Sequence, residues 1–314
     1  MTHFDSAIDQ FRMDAEQSAF FARQLESVKT RTYDEKTRTL KLLTLIPRAT
    51  GTPVGAEEVV WRSFKGIGYA RFLNDYTLGN VPKANVIGTE NRVKIQTYGE
   101  GFDYTIQEMN NAALTGLPLN ARKAIEVRKH VEQLLNKTAA TGAAEYNLKG
   151  LLNYPGITSY TVPNDGTGST KTWATKTPDQ IIRDIRGLID SVEVTTNGVE
   201  VPDTVLLPQA KYSYLASTRT GSSGDMTLLE FIKKNFPQIK TWDYLTELSG
   251  LGAGGTDRMF CGRFQSDAVE LEIPQLLEFV APQARGLVWE NYAYGRTGGV
   301  IVYYPLAFAY GDGI

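Results

Sequence analysis

The stretch VVWRSFKGIGYARFLNDYTLGNVPKANVIGTENRVKIQTY, residues 59–98, decides how the rest of this chain is read. Its first arm mixes aromatic and β-branched residues with Gly66 and Gly68. The return arm, residues 91–98, alternates, with Val93, Ile95 and Thr97 on one side and Arg92, Lys94 and Gln96 on the other. The segment between them, NDYTLGNVPKANVIGTE, is rich in turn residues and too long for a tight turn. The pattern predicts a long polar β-hairpin. Its middle holds too few apolar residues to fold alone, and an isolated two-stranded ribbon is marginal in water. It reads as an arm that lies on something else.

A helix follows at about residues 120–141, with Asn120 as a candidate N-cap and Gly142 as its stop. Ala124, Ile125, Val127, Val131, Leu134 and Leu135 form its apolar face; Arg122, Lys123, Glu126, Lys129 and Glu132 lie largely opposite. His130 on this helix reads as a structural or surface histidine and not a functional one. FDYTIQEMNNAALTGLPLN, just before it, predicts a short strand and a short helix.

Upstream, residues 4–28 repeat apolar side chains at helical spacing, from Phe4, Ile8 and Phe11 to Phe21 and Val28. Two readings stand: a helix packed on its own domain, or an arm completed by a neighbour. Residues 28–48 carry six basic residues against two acids and read as extended and exposed; contact with an acidic neighbour or with nucleic acid is the sharper alternative. PRATGTPVGAEE, 47–58, reads as a flexible link.

Downstream, KGLLNYPGIT (149–158) closes an apolar pair with a turn, and VPNDGTGSTKTW (162–173) is a loop. Thr177-Pro178-Asp179 opens a helix whose buried face is Ile181, Ile182, Ile185, Leu188, Ile189 and Val192. DTVLLP, QAKYSYLAS, TLLEFIKKNFP and IKTWDYL then read strand, helix, helix, strand, which argues for a mixed sheet flanked by helices. The last third is β-rich, with AVELEI and GGVIVYYP as strands. Its aromatic residues (Trp289, Tyr292, Tyr294, Tyr303, Tyr304, Phe308 and Tyr310) mean core or a large interface.

Composition narrows the function. The 314 residues carry a net charge of −2, so no basic field advertises nucleic-acid binding. One cysteine, Cys261, excludes an internal disulfide framework and reads as a small buried hydrophobe. Two histidines and no CxxC or HxxxH spacing argue against zinc. The acid-bearing N-terminus lacks the apolar region of a secretory signal, so synthesis without export is expected. GLGAGG (250–255) matches GxGxxG only literally, because a strand and not a helix follows it. There is no phosphate loop and no nucleophile elbow. No cofactor and no catalytic set are expected.

The order of elements resembles the major capsid proteins of tailed bacteriophages, an architecture shared with encapsulin nanocompartments. GEGFDYTIQEMNNAALTGLPLNARKAIEVRKHVEQLLN resembles the entry into the family's spine helix, and KGLLNYPGI its exit. PDTVLLPQAKYSYL and TLLEFIKKNFP resemble elements of the axial domain. The resemblance implies an α+β fold: an N-terminal arm (1–50), an extended β-hairpin loop (51–100), a peripheral domain with the spine helix (101–157), a mixed α/β axial domain (158–267), and return strands of the peripheral domain (268–314). It implies self-assembly as hexamers and pentamers into an icosahedral head around double-stranded DNA, touched non-specifically. Portal, scaffold or decoration proteins would be further partners, with no membrane involved, and the virion would be assembled in the host bacterial cytoplasm. Phe11, Phe21, Trp61, Phe64, Tyr69, Phe72, Lys83, Arg92 and Lys94 are the candidate contacts between copies. Some family members join subunits through a Lys–Asn isopeptide bond; Lys65 and Lys83 lie in the hairpin but match no family motif. An encapsulin-like shell is the alternative within the fold, and an α/β enzyme with residues 59–98 as a flap the alternative outside it.

Overall fold

The computed structural model describes residues 38–72, 81–115, 119–220 and 226–314. The proposed helix over residues 4–28, with Phe11 and Phe21, lies outside them. In chain order the described elements begin with a single helical turn, α1 (Leu42–Leu45), and the hairpin strands β1 (Glu58–Ile67) and β2 (Asn85–Lys94). Next come β3 (Gln96–Thr105), α2 (Ile106–Thr115) and the long α3 (Leu119–Thr141). The short β4 (Gly142–Ala143), β5 (Leu148–Lys149) and β6 (Thr158–Thr161) lead to α4 (Pro178–Thr195). Then follow β7 (Thr204–Leu207), α5 (Gln209–Ser217), α6 (Leu228–Asn235), β8 (Thr241–Tyr244) and β9 (Arg258–Gly262). The chain closes with β10 (Val269–Glu272), β11 (Gln275–Phe279), β12 (Gln283–Arg285), β13 (Val288–Thr297), β14 (Gly299–Val302) and β15 (Phe308–Asp312).

Residues from Leu40 to Ile314 form one unit built on two apolar cores. A mixed five-stranded sheet, ordered β6-β15-β9-β7-β8, is the wall between them. Successive strand residues point to opposite faces. Leu206, Phe260, Phe308 and Tyr310 therefore enter the core around α3, while Val205, Leu207, Met259, Cys261 and Ala309 enter the core around α4. Cys261 is fully buried, and burial pushes its thiol above the ordinary range, so it acts as the small hydrophobe expected.

Of the two core helices, α4 follows its sequence signals and α3 does so in part. Thr177 and Gln180 form a reciprocal capping box at the start of α4, whose Ile181, Ile185, Leu188, Ile189 and Val192 are fully buried. On α3 the buried positions are Val127, Val131 and Leu135, four residues apart, and then Asn136, Thr138, Ala139 and Ala140 as the helix runs into the core. Ile125 and Leu134, expected on that face, are about half-exposed instead, because they lie beside the line of Val127, Val131 and Leu135 that meets the core. The helix begins at Leu119, so Asn120 falls inside it rather than at its cap. It lies on β3, where Lys123 donates to the Asp103 carbonyl and His130 meets Glu100 at 2.8 Å.

Three expectations from the sequence change. The return arm is not one strand through Tyr98. Ile95 is buried and its N–H donates to the Glu57 carbonyl, which turns the chain out of the hairpin; β3 then pairs with β13 along its whole length, Gln96↔Thr297 to Thr105↔Val288. The segment 28–48 is not extended throughout: α1 buries Leu42 and Ile46, one turn apart, against the core of α3. Lys41 and Arg48 are engaged within the chain, Lys41 with Asp243 at 2.5 Å and over the Tyr244 ring, Arg48 with the Ile273 carbonyl. The link 47–58 is also pinned. Leu271 donates to the Pro47 carbonyl, Ala49 to the Leu271 carbonyl, and Arg296 to the Val54 carbonyl.

The loop 162–176 is held by charge. The Lys176 side chain is fully buried, with its ammonium 2.6 Å from Asp184, 3.1 Å from Asp165 and 2.9 Å from the Pro163 carbonyl. Arg183 closes the network at 2.5 Å from Asp165 and 3.0 Å from Asp184. Its hydrogen bond holds the Asp165 carboxyl down to about 2, against an ordinary 3.8. Removing one partner of a buried pair strands the other charge. Lys176→Met should therefore lower the unfolding free energy of the free subunit by about 3 kcal/mol, read by urea denaturation. Because the Asp165 pKa is depressed on folding, its contribution is present above about pH 4 and lost as pH falls toward 2. Asp165→Asn should flatten that part of the stability–pH curve.

Candidate functional site

The two-stranded ribbon β1–β2 carries the chain's most unusual surface. Its strands pair antiparallel without a break, from Glu58↔Lys94 to Ile67↔Asn85. Cross-strand polar pairs line it, Arg62 with Glu90 at 3.4 Å and Ser63 with Thr89 at 3.4 Å, and Arg92 meets Glu90 of its own strand at 3.0 Å. The Phe64 ring lies over Gly88, where an added Cβ would come within 3.1 Å of it. At Gly68 a Cβ would meet the Ala84 backbone at 3.0 Å, so glycine there lets the two arms approach closely.

Beyond its root the ribbon's described apolar side chains are largely exposed. Phe64 is 72 % and Tyr69 73 % exposed, Phe72 is fully exposed, and Val86 and Ile87 are more than half exposed. Exposed apolar side chains grouped on one surface are, as a general rule, a mark of contact with another molecule. The ribbon is not folded back into the body, which is the arrangement that would have argued against an assembling arm.

The candidate contact residues divide by position. Phe64, Tyr69 and Phe72 stand on the exposed ribbon, and Lys83 follows its loop. Trp61 sits at the root, edge-on to Tyr303 of the same chain with ring centroids 5.9 Å apart. Tyr303 donates to Glu270 at 2.9 Å, and burial followed by that bond pushes its phenol above the ordinary range. Arg92 is tied to Glu90 and lies 3.8 Å from Glu58. Lys94 lines a cavity of about 290 Å³ between the root and the body. That cavity has Arg92, Lys149 and Glu58 on its walls with Trp61, Tyr146 and Tyr154, and holds no histidine, cysteine or serine.

The Trp61–Tyr303 clamp and the cavity join residues far apart in sequence, and no local pattern announced either. The aromatic run of the last third divides as well: Phe308 and Tyr310 are core, while Tyr292, Tyr294 and Tyr304 are exposed. Among the described residues no group of His, Cys, Asp and Glu could hold a metal ion. Nor is any described helix long and apolar enough to cross a membrane.

A family model described as "Major capsid protein" matches residues 68–314. The chain belongs to the major capsid protein family. Its role is that of the protein that builds a phage head. Its fold is similar to the capsid of Myoviridae phage XM1, with 22 % identity, a TM-score of 0.81, and 94 % of this chain and 99 % of that chain covered. It is also similar to a chain of Mycobacterium phage Bobi (12 % identity, TM-score 0.62, 91 % and 94 % covered) and to the virus-like particle from Pyrococcus furiosus (13 %, 0.52, 86 % and 92 %). No curated protein matches the sequence.

The root clamp has a direct test. Trp61→Ala and Tyr303→Ala should each loosen the ribbon's seat by about 1 kcal/mol, as expected for one aromatic pair. Hydrogen exchange of residues 58–67 and 85–94 should accelerate in both variants while that of α4 stays unchanged.

Proposed function

We propose that copies of this chain assemble as hexamers and pentamers into an icosahedral head enclosing double-stranded DNA, and that the ribbon of one copy is completed by the body of another. The observation that carries this reading is the exposure of Phe64, Tyr69 and Phe72 on a two-stranded ribbon with no layer beneath it. Such a ribbon is marginal by itself and gains stability only by burial against a further surface. In a shell made of one chain, that surface is a sister molecule, and contacts between unlike faces close into rings when the rotation closes.

In this reading the α3 core with the β3–β13 sheet is the peripheral domain, built from residues 101–157 and 268–314. The α4 core, mainly residues 158–267 with β15 (Phe308–Asp312) added to its sheet, is the axial domain around the ring axes; residues 51–100 are the extended loop, its end at 96–100 already in β3; and residues 1–50 are the arm. The protein works without catalysis, in the virion, after assembly in the host bacterial cytoplasm. Portal, scaffold and decoration proteins complete the particle, and DNA is met non-specifically.

A second reading keeps the shell and changes its contents: a protein nanocompartment. The likeness to a virus-like particle from Pyrococcus furiosus is compatible with it, at a lower TM-score than the phage XM1 capsid. The nucleic-acid content of particles purified from infected cells separates the two.

Phe64 and Phe72 are largely or fully exposed among the described residues, so Phe64→Asp/Phe72→Asp should leave the circular dichroism of the free subunit unchanged. Negative-stain microscopy and sedimentation should show particles for the wild type and only subunits or small rings for the double variant. Wild-type-like particles from that variant would sink the ribbon's assigned part.

A further inference from the structure

We infer that the cavity at the ribbon's root receives a carboxylate-bearing segment of a second copy of this chain. The inference deepens the shell reading above and rests on it. The cavity lies where β1 and β2 leave the body, walled on one side by the strand ends and on the other by the turn at Tyr146–Lys149 and by Tyr154. It places three cations, Arg92, Lys94 and Lys149, against one carboxylate, Glu58. Glu58 is 3.8 Å from Arg92, which is already held at 3.0 Å by Glu90. Lys149 sits over the Tyr154 ring at 5.4 Å. Among the described residues neither Lys94 nor Lys149 meets a carboxylate.

The occupant follows from size and sign. About 290 Å³ is at the small end of ligand sites, roughly 300–1,000 Å³. It admits one or two side chains and excludes a nucleic-acid duplex. Its walls carry a positive surplus on a chain whose net charge is −2, so acidic surface is what another copy has in excess. The aromatic walls of Trp61, Tyr146 and Tyr154 lower the local polarity, which strengthens a charge pair formed there relative to one on open surface. The position matters too. Trp61 is both a wall of the cavity and half of the clamp on Tyr303, so a segment seated here presses on the joint that sets the ribbon's angle. Occupation by a neighbour would therefore couple the seating of one copy to the direction of the ribbon on the next.

Amine-reactive footprinting of free subunits and of assembled shells, read by peptide mass spectrometry, tests this. Acylation of Lys94 and Lys149 should fall severalfold on assembly. Lys94→Glu/Lys149→Glu should raise the subunit concentration needed for assembly about tenfold, and Lys94→Arg/Lys149→Arg should not. Intact shells in which both lysines react as in the free subunit overturn the inference and leave the shell reading standing. If the wild type forms no shell, the shell reading itself fails. Protection of both lysines in free subunits by millimolar pyrophosphate, equal to that in shells, would assign the cavity to a small anion and overturn the second-copy occupant. Where the charge-reversed variant does not fold, the footprint on wild-type protein decides alone.

Discussion

A strand alternates its side chains between two faces, and in the central sheet of this protein both faces must be dry. β7, β9 and β15 therefore carry apolar residues at nearly every position, one set for each core. That double burial joins the α3 and α4 halves into a single body, because neither half could be removed without exposing one face of the other's wall. It also accounts for the chain's path. The final strand returns to the middle of the sheet, between β6 and β9, so residues near the C-terminus complete a layer begun about 150 residues earlier.

The ribbon is the opposite case. It has complete pairing along one edge of each strand and no dry face. The facing backbone groups of its two strands pair with each other while its apolar side chains stay exposed, so its conformation is set locally and without a packed face. The body holds the root firmly. Ile95 is buried, the Val54 carbonyl accepts from Arg296, and Trp61 bears on Tyr303. A fixed root with an unsatisfied projecting surface suits a subunit that must meet its neighbours at a defined angle. Membership of the major capsid protein family and likeness to phage capsid chains place that surface in a shell-building protein.

Much of the body was legible in the sequence because its signals are local. The capping box at Thr177, the apolar stripe of α4, the short apolar strands at 204–207 and 269–272, and the ribbon itself are each recognisable within a few residues. The errors arose where a distant partner overrode the local pattern. The alternation from Arg92 to Tyr98 looks continuous, yet β13, almost 200 residues on, captures everything after Ile95. Leu42 to Leu45 reads as extended among threonines and lysines, yet a turn of helix puts Leu42 and Ile46 into one core. Of the candidate contact residues, Phe64, Tyr69 and Phe72 could be marked from their place in a polar ribbon. The engagement of Trp61 with Tyr303 could not, since nothing near either residue specifies the other.

The sequence by itself determined that this chain would form a ribbon and, after it, a long helix. Those properties depend on residue type and on spacing along the chain, which local periodicity records. Only the tertiary structure decided where the ribbon leaves the body, which aromatic residues are core and which are surface, and that three cations gather at its root. Each of these requires segments separated by tens to hundreds of residues to meet, and a register between distant strands is set by the packing of the whole and not by either strand.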